Sequence, residues 1–178
     1  MIICCTQRAA REFGFAPSQL EPVISDGQDQ KNIWFAHVFF IGRLKCLVLT
    51  HNASLFSAIK EGYKRIDMAS PEELVKSMIG EALYHVGAPP EVIKKGLSDV
   101  QEIDYAKATD RRVLGSMNDM IKIYKYERDP RYPSGWDYPT AICRINGMPM
   151  KMVKYGLPAE VFIRGLGFNY SKKEYNKL

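Results

Sequence analysis

Apolar positions along this chain change period several times, and each change predicts an element. Ile2–Thr6 is a short, nearly unbroken apolar run that predicts a strand. Gln7 to Phe13 predicts a helical turn, closed by Gly14 and Pro17. Residues 18–32 are polar, with Ser25-Asp26-Gly27 as a turn signal. Ile33–Ile41 and Leu44–Thr50 are rich in aromatic and β-branched residues, and only Gly42-Arg43 separates them, which predicts a two-residue hairpin. Ser54–Ile59 fits a third strand or a short helix equally.

The period then lengthens. From Pro71 to Val86, apolar residues at Leu74, Val75, Met78, Ile79, Ala82 and Leu83 mark one helical face. Ser70 is the expected N-cap with Glu73 completing a capping box, and Gly87 with Pro89-Pro90 is the stop. A shorter helix is expected from Pro90 to about Leu97, and a returning strand over Glu102–Ala108. Thr109 or Asp110 can cap a helix whose face carries Val113, Met117, Met120, Ile121 and Tyr124. Residues 127–139 hold three prolines and a glycine and predict a break. Ala141–Ile145, Asn146-Gly147 and Met148–Val153 spell a second hairpin, because Asn-Gly tolerates the positive φ of a type I′ turn. Pro158 to Ile163 predicts a short helix, and the tail from Asn169 is polar. The expected class is α+β: a small, mostly antiparallel sheet covered by two or three helices, with a C-terminal ββα-like basic subdomain.

Composition changes this picture chiefly through charge. The chain of 178 residues has 25 Lys and Arg against 20 Asp and Glu, with 46% hydrophobic content. That mix suits a globular core and excludes disordered, collagenous and disulfide-framework classes. No apolar run reaches the length that spans a bilayer, so no membrane partner is expected. The first residues lack the basic and long apolar regions of a signal peptide, which suggests the cytoplasm. Residues 130–178 carry eight Lys and Arg against three Asp and Glu, so the whole excess of +5 falls there. Residues 1–129 are neutral. The division predicts an α+β body, 1–129, and a basic aromatic module, 130–178.

Candidate chemistry is sparse. Cys4 and Cys5 are adjacent, so on a strand they face opposite ways and cannot share a metal. Cys46 and Cys143 lie in apolar runs, and no Cys or His spacing matches a zinc site. No catalytic residue, metal or cofactor is therefore assigned. A Cys46 pairing with His37 or His51 across the first hairpin is conceivable, but needs hydrogen-bond contact that spacing alone does not supply. The most site-like stretch is Lys107 to Arg112. There a strand end meets a helix start, whose free N–H groups attract anions. Thr109, Arg111, Arg112 and Asn118, with His51 nearby, are the candidate anion-binding residues. The plainer alternative is a capped surface helix with Asp110 pairing an arginine.

The C-terminal segment interleaves cations with aromatics. Arg131, Tyr132, Trp136, Arg144, Lys151, Lys154, Arg164, Lys172 and Lys173 are the candidate partner or nucleic-acid contacts. The same composition also describes a protein-binding patch or a solvated face.

Several segments together resemble a known family. Met1-Ile2-Ile3-Cys4-Cys5-Thr6, Trp34-Phe35-Ala36-His37 and Thr109-Asp110-Arg111-Arg112, with Asn118 beyond, are similar to a small prokaryotic domain-of-unknown-function family. Its members open Met-Ile-Ile-x-Cys-Thr and carry a Trp-His-Ala-Asn-like strand and a Thr-x-Asp-Arg helix start. The chain departs from that pattern at Phe35 and His37. The resemblance covers about residues 1–125 and implies a prokaryotic source and an α+β fold, with no activity attached. The function expected from all this is a non-enzymatic accessory protein. It would dock on nucleic acid or a nucleoprotein complex through the C-terminal module. Compact proteins of that kind are frequent on phages and mobile elements, inhibitors of host defence complexes included. The alternatives are a small-anion or nucleotide binder, or an enzyme, using Arg111 and Arg112, and a homodimeric protein-interaction adaptor.

Overall fold

The computed structural model describes residues 1–23, 32–98, 100–129 and 137–169. In chain order the elements are β1 (Ile2–Cys5), α1 (Gln7–Glu12), β2 (Ile33–Ile41), β3 (Leu44–His51), β4 (Ser57–Glu61), α2 (Pro71–His85), α3 (Pro90–Ser98), β5 (Asp104–Lys107), α4 (Arg111–Glu127), α5 (Tyr138–Asn146) and α6 (Pro158–Gly165), joined in places by short 3-10 turns. The fold is α+β, built on one five-stranded sheet in the order β4-β3-β2-β1-β5.

The sheet is mixed, not mostly antiparallel. β2, β3 and β4 form the expected meander, with Gly42 at φ +56° in the tight turn. β1, however, runs parallel to both of its neighbours, β2 and β5. Helices lie between β1 and β2 and between β4 and β5, and such crossovers return the chain in the same direction. A strand with parallel neighbours is covered on both faces, which is why Ile3, Cys4 and Cys5 are all buried.

The pleat of β2 sorts the helices. Phe39 meets Tyr124 of α4 edge to face, whereas Trp34 meets Phe162 of α6, so α4 and α6 cover opposite faces. α2 carries the expected buried stripe, but Ser70 makes no side-chain cap bond, and the capping box with Glu73 is absent. Pro71 in the first turn and the buried face of Leu74, Val75, Met78 and Ile79 hold that helix instead.

The second hairpin is replaced by α5. The carboxylate of Asp137 accepts from the N–H of Thr140 at 2.9 Å, so a helix starts where a strand was expected. Ala141, Ile142 and Ile145 then share one buried face, and Gly147 closes the helix. The deciding contact is tertiary. Asn146 is fully buried. Its amide donates to the carbonyl of Ser57 at 2.8 Å and accepts from the N–H of Ser57 at 2.8 Å. Tyr138 donates its hydroxyl to the carbonyl of Ile59 at 2.5 Å. Ser57 and Ile59 point their backbone groups outward from β4, so α5 satisfies an edge strand that would otherwise stay open. Ala141, Ile142, Ile145, Ala159, Phe162 and Ile163 belong to the same core as the strands.

Among the described residues no helix is long and apolar enough to cross a membrane. The expected contacts Arg131, Tyr132, Trp136, Lys172 and Lys173, and the turn Ser25-Asp26-Gly27, lie outside the described residues.

Candidate functional site

β5 ends at Lys107, and Asp110 starts α4 three residues on. The Asp110 carboxylate accepts the N–H of Arg112 at 2.8 Å and that of Val113 at 3.4 Å, and it holds the Arg112 guanidinium at 3.0 Å. These bonds, the arginine's foremost, keep the Asp110 carboxyl below its ordinary value. The capped helix start is therefore real, yet it does not use up the charge. Arg111 is exposed and makes no ion pair among the described residues.

A cleft of about 630 Å³ opens beside this helix start. Its floor is Cys4, Ile33 and Phe35, its rim Lys107, Thr109, Arg111 and Arg112, and Asn52, Val23 and Met152 close the sides. Three cations face one carboxylate, over an apolar floor. Such a cleft holds an anionic group at its rim and apolar bulk below. The Cys4 thiol on the floor is pushed up to about 11 by burial, so it stays protonated at neutral pH and is a poor nucleophile.

Thr109, Arg111 and Arg112 are thus brought together as expected. His51 is not with them. Its Nδ1 pairs with the Ser54 hydroxyl at 2.9 Å, and its ring packs between Trp34 and Phe162, so it supports the loop that presents Asn52 and Ala53. Asn118 sits two turns along α4 and lines a neighbouring groove of about 450 Å³ with Arg8, His37, Phe39, Lys122 and Lys125. The conceivable thiol–imidazole pair does not form across the hairpin. Phe39, not a histidine, stands opposite Cys46, and burial pushes that thiol up to about 11.

The basic C-terminal residues divide. Arg144 faces Glu127 of α4 at 3.7 Å, and Arg164 faces Glu160 at 3.0 Å. Lys151 and Lys154 are exposed on the turn that carries Met152 into the cleft wall. That turn is closed by the bridge between Met150 and Gly156, and it holds Lys154 and Tyr155 at φ +53° and +62°. Spacing along α4 could have revealed Lys122 and Lys125, since Arg111, Gly115, Asn118, Lys122 and Lys125 recur every three to four residues. Arg8 and His37 carry no such signal, because the fold alone brings them to α4.

A family model described as a domain of unknown function (DUF6933) matches residues 2–161 of the chain. The match runs past residue 125, where the motif resemblance stopped, and takes in α5 and the start of α6. No curated protein and no solved structure matches the chain.

Proposed function

The chain belongs to the DUF6933 family of unknown function, and on that premise we propose that it is a non-enzymatic binding protein for a phosphate-bearing ligand, held in the cleft at the start of α4. The observation that carries this reading is the rim of Lys107, Arg111 and Arg112 over an apolar floor. Arg112 is steered by Asp110, while Arg111 keeps its guanidinium for a ligand oxygen. Buried, protonated thiols at Cys4, Cys5 and Cys46 suit a reducing compartment, which supports work in the cytoplasm.

Thermal-shift measurements with pyrophosphate and nucleoside monophosphates test this reading. Binding stabilises the folded chain by mass action, so the melting temperature rises with ligand concentration, and Arg111→Ala removes the rise. No shift with any of these anions, or an equal shift in Arg111→Ala, overturns it.

Docking through the C-terminal segment is a second reading, favoured by Lys151, Lys154 and Tyr155. All three are exposed on a turn with two successive left-handed residues, a conformation that costs energy outside glycine. Replacing both lysines by alanine should weaken binding of an oligonucleotide or nucleoprotein. Undiminished binding removes this reading.

A further inference from the structure

The cleft and the groove beside it follow one another along a single seam between α4 and β2. On the strand, Phe35 lines the cleft while His37 and Phe39 line the groove. On the helix, Arg111 lines the cleft while Asn118, Lys122 and Lys125 line the groove. Arg111, Asn118, Lys122 and Lys125 are exposed and share one helix stripe, which spans about 21 Å at the usual rise. Arg8 of α1 lines the groove near His37, and no carboxylate among the described residues lines it. Lys122 holds Asp119 at 2.9 Å, but both groups are exposed, so an incoming phosphate can take the carboxylate's place.

We propose that this seam is a track for a single-stranded nucleic acid, its backbone running from the cleft at Arg111 to the groove at Arg8 and Lys125. The inference rests on the cleft reading and names its ligand. Three cations on the α4 stripe, with Arg8 of α1 beside them, match one phosphate backbone, whereas a duplex presents two. The length accommodates on the order of four nucleotides, the lower end of single-strand site sizes. Phe40, exposed where it lines the groove, gives bases an apolar face to contact, and the Asn118 amide offers a donor and an acceptor to a base edge.

Burial of the groove supports the same polarity. His37 is half-buried, with its Nδ1 on the Thr6 hydroxyl at 3.0 Å. Burial first, then Arg8 and Lys125, pushes its ring below the ordinary value, so cations crowd an imidazole with no acid lining the groove to offset them. A bound phosphate would relieve that crowding.

The test is fluorescence anisotropy of a labelled oligothymidylate about twelve nucleotides long, titrated with the full chain over a salt series. Four backbone contacts give a slope of log K against log salt near about −3. The double variant Arg8→Ala/Lys125→Ala should lower the slope to about −1.4 and weaken binding roughly tenfold or more. Arg111→Ala should weaken it as well. If the double variant binds like the parent while Arg111→Ala loses both oligonucleotide and mononucleotide, the track is overturned and the cleft reading stands. If the oligonucleotide binds independently of Arg111, the track is overturned, and the cleft reading stands or falls on the small-anion thermal shifts. If polyglutamate displaces the probe as well as unlabelled oligothymidylate does, the seam takes an acidic protein segment, and the nucleic-acid inference is overturned. Absence of any oligonucleotide binding overturns it outright, whatever mononucleotides do.

Discussion

At the C-terminal end of α4, Arg128 meets an answering charge across the sheet edge. Glu61 of β4 takes the Arg128 guanidinium in a bidentate pair at 2.9 Å on both oxygens, and it accepts the Tyr124 hydroxyl at 2.8 Å. On the exposed stripe of the same helix, Lys122 and Lys125, with Arg8 beside them, line a groove that no carboxylate lines, and Arg111 lines a cleft whose one carboxylate, Asp110, is engaged by Arg112. One helix thus serves as a structural strut on one face and as a charged rail on another. Satisfied polar groups fix a fold, because removing one partner strands the other away from water. Like charges held together without partners oppose folding slightly, and they are retained where something else comes to neutralise them.

The sharpest way to break this comparison is to strip a satisfied group. Asn146→Ala leaves the N–H and carbonyl of Ser57 without their amide, at a place where Asn146 and Ser57 are both fully buried. We expect a loss of about 2–4 kcal/mol, read as a lower midpoint in urea with little change in slope. Asn146→Asp keeps the shape but loses the donor, and it should be destabilising too. A midpoint shift below about 0.5 kcal/mol would show that α5 is an attachment and not the cover of the β4 edge.

Glu61→Gln should rank next. It removes the charge that holds Arg128, half-buried at 27% side-chain exposure, while preserving an acceptor for Tyr124. The expected cost is about 1–3 kcal/mol in the same urea measurement. The matching change on the rail, Arg111→Ala, should alter stability by no more than about 0.5 kcal/mol while removing ligand binding. Comparable destabilisation by both substitutions would erase the distinction between strut and rail.

How far the chain could be read in advance follows the same division. The β2–β3 hairpin rests on Gly42 between two alternating runs, and α4 on a face of Val113, Met117, Met120 and Tyr124, both of which are local signals. α5 was misread because Asn146-Gly147 is a strong local turn signal, and Asn146 is held by Ser57, 89 residues away. The mixed sheet was missed for a like reason: the direction of β1 depends on where the intervening helices return the chain. At the site, Lys107 to Arg112 are contiguous and were found as a unit. The groove was not, since Arg8, His37 and Lys125 come from three distant stretches. His51 was misplaced because its neighbours Asn52 and Ala53, not its own ring, reach the cleft.

The smallest expected effect is also the most local reading of the rail's charge. His37 faces Arg8 from α1 and Lys125 and Lys122 from α4, with Asp119 engaged on Lys122 and the Thr6 hydroxyl on its Nδ1. Its ring is held below its ordinary 6.5, by burial first and by Arg8 and Lys125 after it. The unfolded chain therefore takes up a proton that the folded chain refuses. Stability linked to His37 is complete above about pH 6.5 and declines as the pH falls below it, until the folded imidazole itself is protonated. Proton NMR of the imidazole, followed through a pH titration, should show a midpoint below 6.5 in the parent chain. In Arg8→Ala/Lys125→Ala that midpoint should move upward, though not fully to 6.5, because the burial remains. Bound oligothymidylate should move it upward as well, by neutralising the same two cations without removing them. A midpoint that ignores both the substitutions and the ligand would mean that Arg8 and Lys125 point their charge into solvent, and that the far end of the rail carries no field to share.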